Sequence, residues 1–186
     1  MYFSLFSGTG LYCGGAYDII YLISSINNKK SYEADKMNIR LMTQDDEQVL
    51  NELFDVMGGE SRALFNHHDW NRQTALKYLR DPSDSERYWI AEDDGVMTGL
   101  LFLWDLDTSI PWLGIAVREE MRGRHLGREL IAFAQKYALE NGKGGIQLTT
   151  HTANLRGQIL YEAMGFRKIG LHIGSGEFYY LYRFKN

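Results

Sequence analysis

The feature that most constrains this chain is an apolar, strand-like run that feeds straight into a basic turn and then a long helix. SIPWLGIAV (residues 109–117) leads into REEMRGRHLGREL (Arg118–Leu130), which holds four arginines and two glycines. An apolar rhythm of helical spacing begins at Leu126 and recurs at Leu130, Phe133, Ala134, Tyr137 and Ala138. A helix mouth offers unpaired N–H groups and the positive end of the helix dipole, so this strand–turn–helix unit is suited to an anion. Gly123 and Gly127 remove side-chain bulk where a ligand must come close. Arg122 and Arg124 add charged donors, and Arg118 lies just upstream. The arrangement suits a diphosphate. It is not a phosphate-binding Walker loop, because Gly-x-x-x-x-Gly-Lys-Ser/Thr is absent, and no Gly-x-Gly-x-x-Gly opens the first strand–helix turn.

The rest of the chain reads as a mixed α+β domain around one sheet. MNIRLM is a short strand. Thr43 with Asp46 forms a capping box for a helix over residues 44–56, which Gly58–Gly59 ends. Asp69 caps a second helix over 70–80, stopped by Pro82. Two strands flank Asp93–Asp94–Gly95 as a hairpin. GIQLTT is a buried strand, NLRGQILYEAM a helix stopped by Gly165, and FRKIGLHI and EFYYLYRF two closing strands. The order β-α-α-β-β-β-α-β-α-β-β matches one compact sheet domain.

The chain has 186 residues and a net charge of −4, which argues against a nucleic-acid partner. The arginines of 118–128 are thus a local patch on an acidic body, able to steer an anion to one place. Cys13 is the single cysteine, which fits a reducing cytoplasm. It is read as a free thiol rather than a nucleophile. Residues 1–36 read as an N-terminal extension outside the core fold, of the kind an upstream start codon adds, and residues 37–186 as a compact domain of their own. GLYCGGAYDIIYLISSI in the extension is interrupted by Asp18 and too short to span a bilayer, so no membrane association is expected. His67–His68 do not converge as adjacent loop residues, and no metal is expected.

A second motif lies downstream. In NLRGQILYEAMGF, Asn154 and Tyr161 stand seven apart, on nearly one helix face. Singly, Asn154 is read as a cap and Tyr161 as core. Together with Arg122-Gly123-Arg124-His125-Leu126-Gly127 they carry a resemblance. The chain resembles the GNAT superfamily of acyl-CoA-dependent N-acyltransferases over residues 38–184, in which Gln/Arg-x-x-Gly-x-Gly/Ala precedes a long helix and Asn is followed by Leu-Tyr-x-x-x-Gly-Phe. His125 stands where the family's first glycine does.

The resemblance implies a mixed central sheet with flanking helices, splayed between two parallel strands, with acetyl-CoA in the cleft. It implies cofactor binding by Ala116, Val117, Arg122, Gly123, Arg124, His125, Leu126, Gly127, Asn154 and Tyr161, and transfer of an acetyl group to a primary amine through a tetrahedral intermediate. A backbone N–H, foremost that of Val117, would meet the developing oxyanion. Tyr161 would serve the departing thiolate. The family's strand acid is missing from Ile110–Val117, which leaves Asp105, His151 and Glu119 as candidate bases beside a water chain. Phe65, His67, Trp70, Trp104, Trp112 and Glu177 are available to an acceptor pocket. The acceptor class, a small-molecule amine or a protein amino group, stays open, as do a monomer and a homodimer. The alternative is a non-catalytic coenzyme-A-binding module of the same fold.

Overall fold

The computed structural model describes residues 38–65 and 71–185. The expected extension over 1–36, Cys13, His67, His68, Asp69 and Trp70 lie outside them.

Seven strands form one sheet in the order β1-β2-β3-β4-β5-β7-β6. They are β1 (Asn38–Leu41), β2 (Arg87–Asp93), β3 (Val96–Trp104), β4 (Trp112–Val117), β5 (Gly145–Thr150), β6 (Arg167–Leu171) and β7 (Phe178–Arg183). Among the described residues five α-helices accompany it: α1 (Glu47–Val56), α2 (Gly59–Phe65), α3 (Arg72–Arg80), α4 (Leu126–Glu140) and α5 (Leu155–Ala163). The strand assignments agree with the expected order. The β2–β3 hairpin turns on Asp94 and Gly95, both at positive φ (47° and 76°), the conformation a two-residue turn requires.

Side-chain alternation sorts two cores onto opposite faces of the sheet. Trp89, Ala91, Leu101, Leu103 and Leu113 pack with Leu126, Leu130, Ile131 and Ala134 of α4 and with Tyr161 of α5. Tyr88, Ile90, Leu100, Phe102 and Ala116 pack with Leu50, Leu53 and Phe54 of α1 and with Ala75, Tyr78 and Leu79 of α3. The helical spacing read across 126–138 therefore identified the buried stripe of α4, with Phe133 and Tyr137 at its margin against Trp89.

Two local readings change. The segment after Gly58–Gly59 does not stay irregular: α2 begins at Gly59, and Gly58 serves as a point of close approach, where an added Cβ would meet Glu119 Oε1 at 2.7 Å. The next helix starts at Arg72 rather than residue 70. Its cap is Asn71, whose side-chain oxygen accepts from the N–H groups of Gln73 (2.9 Å) and Thr74 (3.2 Å). The expected Thr43–Asp46 capping box forms at the 3-10 turn 44–46 that leads into α1, where the Asp46 carboxylate accepts the Thr43 N–H at 2.7 Å. It also pairs with Arg40 at 2.7 Å, which holds its carboxyl below the usual carboxylate range.

The sheet opens at its centre. The parallel strands β4 and β5 share a single registered pair, Trp112↔Gln147, supported by the Gln147 N–H donating to the Pro111 carbonyl at 3.0 Å. Beyond it the strands diverge, while β3–β4 pairing continues to Gly99↔Val117 and β5–β7 pairing to Thr150↔Phe178. Strand alternation then turns backbone groups of both strands toward the opening.

Candidate active site

A cavity of about 970 Å³ occupies this opening. One wall is β4 from Trp112 to Val117, and the other is Thr149 and Thr150 of β5 with Asn154 and Tyr161 beyond them. The mouth of α4 closes one end, through Arg122, Gly123 and His125 to Arg128. Trp104, His172 and Glu177 belong to the same lining, with Met57, Ser61 and Leu64 from the α1–α2 side.

The edge of β4 that faces the opening follows from its hydrogen bonds. The Arg118 N–H donates to the Thr98 carbonyl of β3 at 2.9 Å. Neighbouring residues of a strand point their N–H groups to opposite edges. The N–H groups of Val117 and Ile115 therefore turn away from β3, towards the cavity. The Pro111 carbonyl, an even number of residues away, faces β5 as the same alternation requires.

At the helix mouth the Arg128 and Glu129 N–H groups turn back to the His125 carbonyl (2.8 and 3.2 Å). The amides of Leu126 and Gly127 precede them and have no carbonyl one turn earlier within the helix. The turn itself is left-handed twice, at Gly123 (φ 79°) and at His125 (φ 65°). Gly127 lets α5 come close: a Cβ there would stand 2.8 Å from Leu160 Cδ2. Arg122, Arg128 and Arg156 give the lining three guanidinium groups at this end. An amide-rich helix mouth ringed by arginines fits a diphosphate, and a long apolar-sided slot leading inward fits an extended acyl carrier.

A left-handed His125 costs stability that glycine would not, roughly 1 kcal/mol. His125→Gly is therefore expected to raise the melting temperature by about 2–4 °C, and differential scanning calorimetry checks it. An unchanged or lower melting temperature would mean the imidazole repays the strain through contacts of its own.

Tyr161 sits one wall further in. It is 9% exposed and packs edge-on against Phe166 (6.1 Å between ring centres) and obliquely against Tyr180 (5.9 Å). Burial, and secondarily the negative charge of Glu177, push its hydroxyl up to about 12. The phenol therefore carries its proton across the whole physiological range. Asn154 is the N-cap of α5, accepting the Gly157 N–H at 3.0 Å and donating to the Thr150 hydroxyl at 2.9 Å. This ties the start of the tyrosine-bearing helix to the end of β5.

The structure brings together Ala116, Val117, Arg122, Gly123, His125, Leu126, Gly127, Asn154 and Tyr161 around one cavity. Arg124 belongs to the same turn but is exposed and outside the lining. Asp105, His151 and Glu119 are also outside it. Asp105 forms a left-handed turn after β3 (φ 56°), its carbonyl receiving the Thr108 N–H at 3.0 Å. The His151 ring accepts the Ala153 N–H at 3.1 Å in the β5–α5 turn. Glu119 is exposed and accepts from the Ser61 hydroxyl, which, with Arg122, holds its carboxyl below the ordinary range. Among the described residues no cluster of His, Cys, Asp and Glu could hold a metal ion, and no helix is long and apolar enough to cross a membrane.

A splayed parallel pair, a helix mouth suited to an anion and a buried phenol share one cleft. The profile of the Acetyltransferase (GNAT) family matches residues 50–166, and the chain belongs to that family. It is by family an acyltransferase domain, and coenzyme A is the family's acyl carrier. It is 26% identical over 136 residues to N-acetyltransferase family 8 member 3 of Rattus norvegicus, covering 64% of this chain and 56% of that protein. It is 25% identical over 128 residues to N-acetylaspartate synthetase of Mus musculus, covering 60% and 42%. The chain thus spans about half the length of these curated relatives. Among solved structures the fold is similar to a paia N-acetyltransferase from Thermoplasma acidophilum in complex with coenzyme A, with a TM-score of 0.66 and 19% identity over 80% of this chain and 99% of that one.

Proposed function

We propose that the domain moves an acetyl group from acetyl-CoA to a primary amine by direct attack. The observation that carries this reading is that one continuous cavity joins the α4 mouth, the outward-turned N–H of Val117 and the hydroxyl-bearing Tyr161. Acetyl-CoA supplies an acyl group activated as a thioester.

The chain's own residues account for the rest. Arg122, Arg128, Arg156 and the amides of Leu126 and Gly127 hold the diphosphate, and the exposed lip of β4 receives the carrier arm. The N–H of Val117, fixed by the β3–β4 ladder, meets negative charge as it develops on the acyl oxygen; such a donor needs no reorganisation during the reaction. Tyr161 offers its hydroxyl to the departing sulfur. A phenol near 12 facing a cysteine-like thiol of about 8.5 would lose its proton outright only at a cost of roughly 5 kcal/mol. It therefore acts as a hydrogen-bond donor and proton relay, passing on a proton only as it receives one.

Release of free thiol from acetyl-CoA against an amine panel tests the reading. The panel covers aliphatic and aromatic monoamines, polyamines, aminoglycosides, amino acids including aspartate, and peptide amino groups. Amine-dependent thiol release with at least one class is expected. Saturable coenzyme A binding without turnover across the whole panel would favour the non-catalytic module instead.

A further inference from the structure

We propose that Glu177 is the general base of this reaction, and that the aromatic wall beside it selects a primary amine borne on an apolar or aromatic body over a polycation. The inference rests on the acyltransferase reading above and names the residue and substrate class that it leaves open.

Glu177 is 3% exposed and lies in the cavity lining. It immediately precedes β7, whose first residue, Phe178, pairs with Thr150 at the end of β5. Thr150 is the residue whose hydroxyl receives Asn154, the cap of the helix that carries Tyr161. The carboxylate and the phenol thus stand on adjoining elements at one end of the opening. The turn that holds Glu177 is tied on itself. The His172 N–H donates to the Glu177 carbonyl (2.8 Å), the Gly176 N–H to the His172 carbonyl (2.7 Å), and the Glu177 N–H to the Ser175 hydroxyl (3.3 Å). The influence of Glu177 on the Tyr161 hydroxyl agrees with this closeness.

Charge in the cavity is divided. Among the described residues of the lining, Glu177 is the one carboxylate, while Arg122, Arg128 and Arg156 gather at the helix mouth. A single ammonium has one partner here. Further positive charges on a polyamine or aminoglycoside would find no second carboxylate among the described lining residues, and three arginines at the far end. Those walls are aromatic: Trp104 and Trp112 stack at 5.9 Å with 12° between planes, and His172 stands edge-on to Trp112 at 5.7 Å. Aromatic faces attract an ammonium and pack against an apolar body.

The proton balance closes with these groups. An alkyl-ammonium near ~10.4 must give up a proton before its nitrogen can attack. Glu177 takes that proton and returns it to solvent. The nitrogen–carbon bond forms and the carbon–sulfur bond breaks. The second nitrogen proton ends on the thiol of coenzyme A by way of the Tyr161 hydroxyl, which gives one proton as it gains another.

The test compares the wild type, Glu177→Gln and Glu177→Asp with phenethylamine and spermidine as probes. Thiol release gives kcat and KM, and calorimetric titration gives phenethylamine affinity for the coenzyme-A-loaded protein. The wild type is expected to favour phenethylamine in kcat/KM by about tenfold or more. Glu177→Gln should keep the thermal stabilisation by coenzyme A, lose about 100-fold in kcat, and bind phenethylamine about 30-fold more weakly. Glu177→Asp should recover part of both losses. Unchanged kcat and affinity in a folded Glu177→Gln variant, an Asp variant no better than Gln, or a wild-type preference for spermidine would overturn the inference while leaving the acyltransferase reading in place. The wild-type preference decides the substrate class even if both variants fail to fold. Absence of wild-type turnover with any amine would overturn the acyltransferase reading, and this inference with it.

Discussion

Tyr161→Phe is expected to lower kcat about 100-fold while coenzyme A still binds and the fold persists. The substitution keeps the ring that packs against Phe166 and Tyr180 and removes only the hydroxyl. If Tyr161 served packing alone, kcat would stay near the wild-type value. If it donates to sulfur, the loss appears in kcat and in kcat/KM together, because the interaction exists only as the carbon–sulfur bond breaks. Steady-state kinetics with a fixed amine, beside the thermal shift produced by coenzyme A, separate these outcomes. Since burial holds the hydroxyl near 12, the wild-type rate should show no alkaline loss assignable to Tyr161 below about pH 10.

Gly114→Ala should be the most damaging small substitution near the site, with an expected loss of about 3 kcal/mol and a fall of roughly 10 °C in melting temperature. Gly114 lies directly across from Phe102 in the β3–β4 register, and the phenylalanine ring folds over it. A Cβ at residue 114 would stand 2.0, 2.4 and 2.5 Å from three ring carbons. The ring has little room to retreat. It stacks between Tyr88 at 5.2 Å and Trp104 at 5.4 Å, and Trp104 continues to Trp112. The damage should therefore reach the aromatic wall of the cavity and raise the KM of the amine as well. A melting temperature within about 2 °C of wild type would mean the stack is softer than its geometry implies.

Much of the fold was legible because its strongest signals are local. The period of α4 from Leu126 to Ala138 and the Asp94–Gly95 turn both express short-range chemistry that a linear reading recovers. The start of α3 was misplaced because Asp69 and Asn71 are both good caps, and only the backbone geometry at residue 71 decides between them. α2 was missed because Gly58–Gly59 reads as a stop; the chain pauses there and resumes a helix at once.

The same division holds at the site. The α4 mouth is continuous in sequence, so its glycines and arginines could be picked out together, and the structure places most of them on one cavity. The base was sought near β4, where Ile110–Val117 holds no acid. Glu177 is far along the chain and reaches the cavity through the β5–β7 pairing. Its sequence context, a turn after Gly174 and Gly176, marked it only as part of an acceptor wall. Asp105 was attractive as an acid at a strand end, yet its left-handed backbone makes it a turn former outside the lining. Such long-range convergence has no local signature.

Titration of the isotope-labelled domain with coenzyme A, followed amide by amide in solution, tests the central claim most directly. Saturable shifts concentrated on the amides from Arg122 to Gly127 and on Val117, with a matching response of the Tyr161 ring, are the predicted result. Binding that leaves those amides and that ring unmoved, or shifts centred on another face of the sheet, would contradict it.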